Sequence, residues 1–217
     1  MKPRVAGLYA VTPDIQDTPE LLAKVGAALA GGARLLQYRN KTASPALRLV
    51  QGRALLALCW EYQVPLIIND HLDLAVALDA HGLHIGVEDG STAEARKQLG
   101  PEKILGVSCY GRIENALAAT GAGATYVAFG GFFPSKVKPG ATRTPIGLLR
   151  EAKRKLKLPV IAIGGITPEN APQLVDAGAD GVAVISALFG ASDVRLAAQR
   201  FSGLFPRRQQ EPGTGKR

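Results

Sequence analysis

The sequence predicts an α/β protein of the (β/α)8 TIM-barrel class, built as a single domain of parallel strands. Short apolar runs of strand length alternate eight times with segments whose apolar residues recur at helical spacing. Three of the helix-to-strand junctions, Gly31-Gly32-Ala33, Gly121-Ala122-Gly123-Ala124 and Ala177-Gly178-Ala179, carry the glycine expected where a helix stops and the chain turns tightly into a sheet. An open doubly wound sheet would alternate too, but no Gly-x-Gly-x-x-Gly follows the first strand, so the barrel is preferred. The barrel is expected over residues 1–203, with a basic tail over 204–217.

The elements follow in order. Val5 to Val11 is a buried-strand candidate closed by Thr12-Pro13-Asp14. Thr18-Pro19 supplies a helix cap and a first-turn proline, and Leu21, Leu22, Val25, Ala28 and Leu29 form the apolar stripe behind it. Leu35 to Lys41 is a strand that turns polar and basic at its end, and Ser44-Pro45 opens a helix running through Leu58. Val64 to Asn69 is the third strand, followed by a helix around Asp73 to Leu78. Gly82 to Ile85 is the fourth, with a short helix from Thr92 to Leu99, and Ile104 to Ser108 is the fifth, with a helix through Ile113, Ala116, Leu117 and Ala118. Ala124 to Gly130 is the sixth, and a long loop from Gly131 to Arg143 separates it from a helix begun by Thr144-Pro145. Pro159 to Gly164 is the seventh, with Thr167-Pro168-Glu169 starting its helix; Asp180 to Ser186 is the eighth, with a final helix to about Phe201.

Composition narrows the functional classes. With 47% hydrophobic residues in 217, the chain can bury a large core, yet no uninterrupted apolar run reaches membrane-spanning length. Met1-Lys2-Pro3-Arg4-Val5 leads into a strand without the apolar stretch of a secretory signal, so the expected location is cytoplasmic. The formal net charge of +8 raises nucleic acid as a partner. Part of that charge lies in the tail from Pro206 to Arg217, which lacks periodicity and apolar content and is expected to be disordered. Aromatics are not interleaved with the basic residues, so anionic small-molecule substrates are expected rather than nucleic acid or membrane; a homo-oligomer is left open. Cys59 and Cys109 have neither disulfide context nor metal-ligand spacing.

In this fold the chemistry sits at the C-terminal ends of the strands. That rule selects Gln37, Arg39 and Lys41 after strand two, Asn69 and Asp70 after three, Asp89 past four and Ser108 at five. It adds the loop Ser135-Lys136-Val137-Lys138 after six, Gly164-Gly165 after seven and Ile185-Ser186 at eight. Each has an ordinary reading: Arg39 and Lys41 as surface charges, Asp70 as a helix cap, Asp89 as a turn residue, the long loop as a solvated one. The acidic pair on adjacent strand ends, facing several cations, instead suits a hard divalent cation carrying a phosphate or diphosphate. Gly164-Gly165, with the segment from Val184 to Ala187, suits an anion closed on by backbone N–H groups. The 131–143 loop is a candidate lid. His71, His81 and His84 show no ligand spacing, and no role is assigned to them.

Taken together and in this order, Gln37-Tyr38-Arg39-Asn40-Lys41, Asn69-Asp70, His84 to Asp89, Gly106-Val107-Ser108, Phe133 to Lys138, Ala162 to Ile166 and Val184-Ile185-Ser186 closely resemble the thiamine phosphate synthase family, over about residues 5 to 190. The resemblance implies a transferase that joins 4-amino-2-methyl-5-hydroxymethylpyrimidine diphosphate to a thiazole phosphate, or its carboxylated form, and releases pyrophosphate. It implies Mg²⁺ as cofactor, held by Asp70 and Asp89. Pyrimidine-diphosphate contacts would fall on Gln37, Arg39, Lys41, Asn69, Ser108 and Lys138, with Arg39, Lys41 and Lys138 catalytic. Thiazole-phosphate contacts would fall on Ser135, Lys136, Val137, Gly165, Ile185 and Ser186. Two positions depart from the family pattern: Val137 stands where a second threonine is usual, and Cys109-Tyr110 where Thr-His is common. The latter argues against the related thiazole tautomerase, which depends on a histidine in that vicinity. That paralogue and a catalytically silent phosphate-binding barrel are the alternatives.

Overall fold

The computed structural model describes residues 5–86, 90–134 and 143–205. Eight parallel strands, β1 (Gly7–Val11), β2 (Leu35–Tyr38), β3 (Leu66–Asn69), β4 (Gly82–Gly86), β5 (Ile104–Ser108), β6 (Tyr126–Phe129), β7 (Val160–Ile163) and β8 (Gly181–Val184), close into a barrel in sequence order. The β1–β8 pairing, with Gly7 opposite Gly181 and Ala10 opposite Val184, completes the ring. The helices are α1 (Thr18–Ala30), α2 (Pro45–Glu61), α3 (Leu72–Ala77), α4 (Thr92–Leu99), α5 (Ile113–Gly121), α6 (Gly147–Lys155), α7 (Ala171–Asp176), α8 (Ser186–Phe189) and α9 (Val194–Ser202). Among the described residues no helix is long and apolar enough to cross a membrane.

The strands bury both faces, and their two-residue period sorts the side chains into two cores. Leu8, Ala10, Leu36, Ile68, Leu83, Leu105, Val127, Ala162 and Val182 point outward and pack under the helices. Tyr9, Val11, Leu35, Ile67, Ile104, Tyr126, Ala128, Ile161 and Ala183 fill the barrel interior. The interior is filled in layers of alternating bulk. Gly106 is one of the small members: a Cβ there would lie 2.0 Å from Cζ of Tyr126, its register partner on β6, so the tyrosine ring can lie over β5 only because a glycine stands there.

Several element ends differ from the sequence expectation. Asp17, not Thr18, caps α1, its carboxylate accepting from the Glu20 N–H at 2.6 Å, because a carboxylate complements the helix N-terminus better than a hydroxyl. β2 ends at Tyr38, so Arg39, Asn40 and Lys41 form the loop into α2. α6 starts at Gly147 and α7 at Ala171, later than Thr144-Pro145 and Thr167-Pro168 suggested. In the second case the Asn170 side chain accepts from the Thr167 N–H at 2.8 Å and donates to the Gly165 carbonyl at 3.0 Å, closing a turn ahead of the helix. β8 ends at Val184, and the expected last helix is split into α8 and α9. At the far end Leu204 and Phe205 pack against the core, and the Phe205 carbonyl accepts from Arg34 at 3.1 Å.

Candidate active site

Because inward-facing positions recur every second residue, the last inward residue of each strand meets the others at one mouth. Gln37 follows Leu35, Asn69 follows Ile67, and Ser108 follows Gly106 and Ile104 on that same face. They open into a cavity of about 1130 Å³ at the C-terminal end of the barrel. Every sequence-selected residue in the described part of the chain lines it: Gln37, Arg39, Lys41, Asn69, Asp70, Ser108, Gly165, Ile185 and Ser186. Asp89, Ser135, Lys136, Val137 and Lys138 lie outside the described residues. A smaller cavity of about 380 Å³ shares Arg39, Ile185 and Ser186 with the larger one and adds Asp14, Lys24 and Phe189.

The basic loop after β2 is held from below. Asn40, 4% exposed, donates to the Ile15 carbonyl at 2.7 Å and to Gln51 Oε1 at 3.1 Å, and its own Oδ1 accepts from the Ala43 N–H at 3.1 Å. Gln51 is fully buried on α2 and ties the same segment down through the Ile15 and Gln16 carbonyls and the Tyr38 hydroxyl. Burial pushes the Tyr38 phenol up to about 12, so it stays a neutral donor. With Asn40 anchored inward, its neighbours Arg39 and Lys41 are both directed to the mouth. Thr12 reinforces this, its hydroxyl accepting from the Arg39 N–H and donating to the Arg39 carbonyl, each at 2.8 Å.

Asp14 is a site residue that sequence reasoning missed. Its Oδ1 accepts from the Lys41 N–H at 2.7 Å and lies 3.3 Å from Arg39 Nη1. The signal was present, since Asp14 follows the C-terminal end of the first strand, where the strand-end rule also applies.

Asp70 adopts a left-handed backbone, φ 61°, which aspartate tolerates better than most residues. Its N–H donates to the His84 carbonyl at 2.9 Å and its Oδ2 accepts from Asn69 Nδ2 at 2.6 Å, so β3 and β4 together set the carboxylate. The capping alternative does not hold: His71 is the N-cap of α3. Carboxylate and amide oxygens at a cavity wall are hard donors of the kind a Mg²⁺-type cation takes, though among the described residues no group of three or more His, Cys, Asp or Glu side chains gathers there.

Gly165 has φ 63°, and a Cβ there would stand 2.2 Å from the Pro134 carbonyl oxygen and 2.7 Å from that of Phe133. The Phe133 N–H donates to the Gly164 carbonyl at 3.0 Å. The glycine pair therefore has a packing role that the sequence did not suggest: it lets the loop after β6 lie directly on the loop after β7.

His84 also lines the cavity, contrary to its unassigned status in the sequence. It is 7% exposed, with Nε2 at 2.9 Å from Ser108 Oγ and Nδ1 at 2.8 Å from the Tyr126 hydroxyl. From the sequence His84 could point inward from the fourth strand or be satisfied in the core; its partners, on β5 and β6, were not legible there.

A barrel mouth with clamped cations, a carboxylate and glycine-backed loops is chemically suited to phosphorylated ligands, and comparison with known proteins gives the family. The family model described as thiamine monophosphate synthase matches residues 8–188. The chain belongs to the thiamine monophosphate synthase family. The thiamine-phosphate synthase of Nitrosospira multiformis is 50% identical over 212 residues, covering 98% of this chain and 91% of that protein. That of Methylobacillus flagellatus is 53% identical over 203 residues, covering 94% and 97%. The solved thiamine phosphate pyrophosphorylase from Pyrococcus furiosus superposes with a TM-score of 0.82 at 35% identity, covering 92% of this chain and 95% of that one. As in this family, the chain is a transferase on a TIM-barrel scaffold.

Proposed function

We propose that this thiamine monophosphate synthase family member condenses 4-amino-2-methyl-5-hydroxymethylpyrimidine diphosphate with the phosphate of 4-methyl-5-(2-hydroxyethyl)thiazole, or its carboxylated form, to give thiamine phosphate and pyrophosphate. The observation that carries the reading is one cavity lined by both halves of the expected residue set. Gln37, Arg39, Lys41, Asn69, Asp70 and Ser108 are those expected against the pyrimidine diphosphate and its metal, and Gly165, Ile185 and Ser186 those expected against the thiazole phosphate. Its volume, about 1130 Å³, exceeds the roughly 300–1,000 Å³ of a usual small-molecule pocket and suits two substrates held together.

The chemistry asks for little covalent participation by the protein. An electron-rich aminopyrimidine stabilises positive charge on its exocyclic carbon, so diphosphate can leave before the thiazole nitrogen attacks. The protein then has to neutralise the leaving group and align the nucleophile. Arg39 and Lys41 carry that positive charge at the mouth, with Lys138 as a further candidate from the loop, and Asp14 and Asn40 hold the first two in place. Asp70 and Asp89 would hold Mg²⁺, which when bound supplies additional positive charge to the diphosphate. Phe133-Pro134 and Gly164-Gly165 pack on each other at the mouth, and the 131–143 loop is the candidate lid that would limit water near the cationic carbon.

The test is direct coupling: purified protein, pyrimidine diphosphate, thiazole phosphate and Mg²⁺, read by mass spectrometry beside an EDTA control. Metal-dependent appearance of both thiamine phosphate and pyrophosphate is expected. No product from folded protein that still binds pyrophosphate would overturn the proposal.

A further inference from the structure

Inside the barrel, beneath the cavity floor, five polar side chains from five strands join end to end. Gln37 Nε2 on β2 donates to the Tyr9 hydroxyl on β1 at 3.0 Å. The Tyr9 and Tyr126 hydroxyls are 2.8 Å apart, the Tyr126 hydroxyl is 2.8 Å from His84 Nδ1, and His84 Nε2 is 2.9 Å from Ser108 Oγ. The Tyr126 and His84 rings stack, 20° apart in plane, and Tyr9 meets Tyr126 edge-on, which fixes the run sterically. Both phenols are pushed well up by complete burial, so each keeps its proton. Tyr9 and Tyr126 touch no ligand space; the ends, Gln37 and Ser108, do.

A proton count shows what such a run enforces. In the form in which His84 is neutral, as at the pH 8 of the test below, Tyr9, Tyr126 and His84 each hold one proton that can be donated along the run, three in all, for its four hydrogen bonds. Making all four requires that one end group donate inward and the other accept. If Gln37 donates through Nε2, every internal proton points towards Ser108: Tyr9 donates to Tyr126, Tyr126 to His84 Nδ1, and His84 Nε2–H to Ser108 Oγ. The Ser108 proton and the Gln37 carbonyl are then left for the cavity. If Ser108 donates inward instead, all three internal protons reverse, and the cavity meets the Gln37 amide and the Ser108 lone pairs. Burial makes a missing bond costly, so mixed arrangements are disfavoured.

We infer that Tyr9, Tyr126 and His84 form a polarity relay that couples Gln37 to Ser108, so that the cavity always presents one donor and one acceptor at the two ends of the run. Tyr9 and Tyr126 are positioning residues, which act through the cavity-lining Gln37, His84 and Ser108. The orientation in the structure, with Gln37 Nε2 turned inward, offers a carbonyl on the β2 side and a hydroxyl proton on the β5 side. That pair recognises a heterocycle bearing an amino donor and a separate acceptor, and disfavours its oxo counterpart, which inverts the pattern. This specificity consequence rests on the proposed pyrimidine substrate; the coupling itself does not.

The coupling is read by NMR of histidine-15N-labelled full-length protein at pH 8, with the His84 signal assigned by its loss in His84→Gln. In the unmodified protein the His84 proton is expected on Nε2. Gln37→Glu places a carboxylate, which only accepts, at the start of the run; Tyr9 must then donate to it, and the His84 proton is expected to move to Nδ1. Adding Tyr126→Phe removes the middle oxygen, and the tautomer should no longer respond to Gln37→Glu. An unchanged tautomer in Gln37→Glu, or a response that survives Tyr126→Phe, would overturn the relay. Kinetics give a second arm that does not need Gln37→Glu to fold. Tyr126→Phe should reduce the ratio of kcat/KM for the 4-amino over the 4-oxo pyrimidine diphosphate by about tenfold or more. Equal losses on both substrates would mark Tyr126 as merely structural and refute the specificity claim. Absence of any coupling by the unmodified protein would refute the proposed function while leaving the NMR arm to decide the relay.

Discussion

Replacing Asp14 tests whether the diphosphate-side cations work because they are held or merely because they are charged. Its carboxylate has two roles with opposite consequences. It fixes the Lys41 backbone through a 2.7 Å hydrogen bond, and it pairs with Arg39 at 3.3 Å, offsetting charge that would otherwise face the ligand. A hydrogen bond to a charged group contributes about 1.5–3 kcal/mol. The Arg39 pair is partly exposed, with side-chain exposures of 15% and 34%, so its share is about 1 kcal/mol or less. In Asp14→Ala the clamp is lost and at most the pair's share is returned as freed positive charge. The net is about 0.5–3 kcal/mol, or about a 2- to 160-fold fall in kcat/KM for the pyrimidine diphosphate. Asp14→Asn keeps an oxygen for the Lys41 N–H and removes the negative charge, so its kcat/KM should stay within about threefold of the unmodified protein. The assay is initial-rate formation of thiamine phosphate, with pyrimidine diphosphate varied at saturating thiazole phosphate. If Asp14→Asn falls as far as Asp14→Ala, or Asp14→Ala matches the unmodified protein, Asp14 does not act by holding the loop.

Three further outcomes follow from other parts of the site and scaffold. Gly165→Ala should cost about 2–4 kcal/mol, since the new methyl meets the Pro134 carbonyl at 2.2 Å on a backbone with φ 63°; an unchanged urea midpoint would contradict the packing described. Asp70→Asn should weaken Mg²⁺-dependent pyrophosphate binding about tenfold or more, read as a lost thermal shift; full retention would remove Asp70 from the metal reading. His81 accepts the Leu66 N–H on Nδ1 at 3.1 Å, and burial holds its pKa below the ordinary value of 6.5. A base depressed in the folded state binds fewer protons there than when unfolded, so its contribution is present above pH 6.5 and is lost as pH falls below it. Urea midpoints at pH 7.5 and 5.5 should therefore differ less in His81→Gln than in the unmodified protein; an identical pH dependence would exclude His81 as a source.

Some of the molecule could be read along the chain because its cause is local. Apolar runs such as Leu66-Ile67-Ile68 are strands buried on both faces, and once their number and order specified a barrel, the strand-end rule picked out Gln37, Asn69, Asp70 and Ser108. The basic positions Arg39 and Lys41 were visible because charge follows abruptly on Leu35-Leu36, although the strand stops at Tyr38, before them. Helix starts were less legible: Asp17 beside Thr18, and Asn170 beyond Thr167, each offered a second polar side chain, and backbone geometry chose between them.

The order and spacing of residues along one chain were enough to give the fold class, the family pattern and the chemical types gathered at the strand ends. Tertiary structure alone decided that Asp14 grips Lys41 and Arg39 across 27 and 25 positions, and that Gly165 makes room for Pro134. It also decided that Tyr9 and Tyr126, 117 residues apart, share a hydrogen bond inside the barrel and link to His84. The physical reason is that closing the sheet turns the inward side chains of separate strands into neighbours. A polar group in an apolar strand then acquires its meaning from partners that no local pattern reveals.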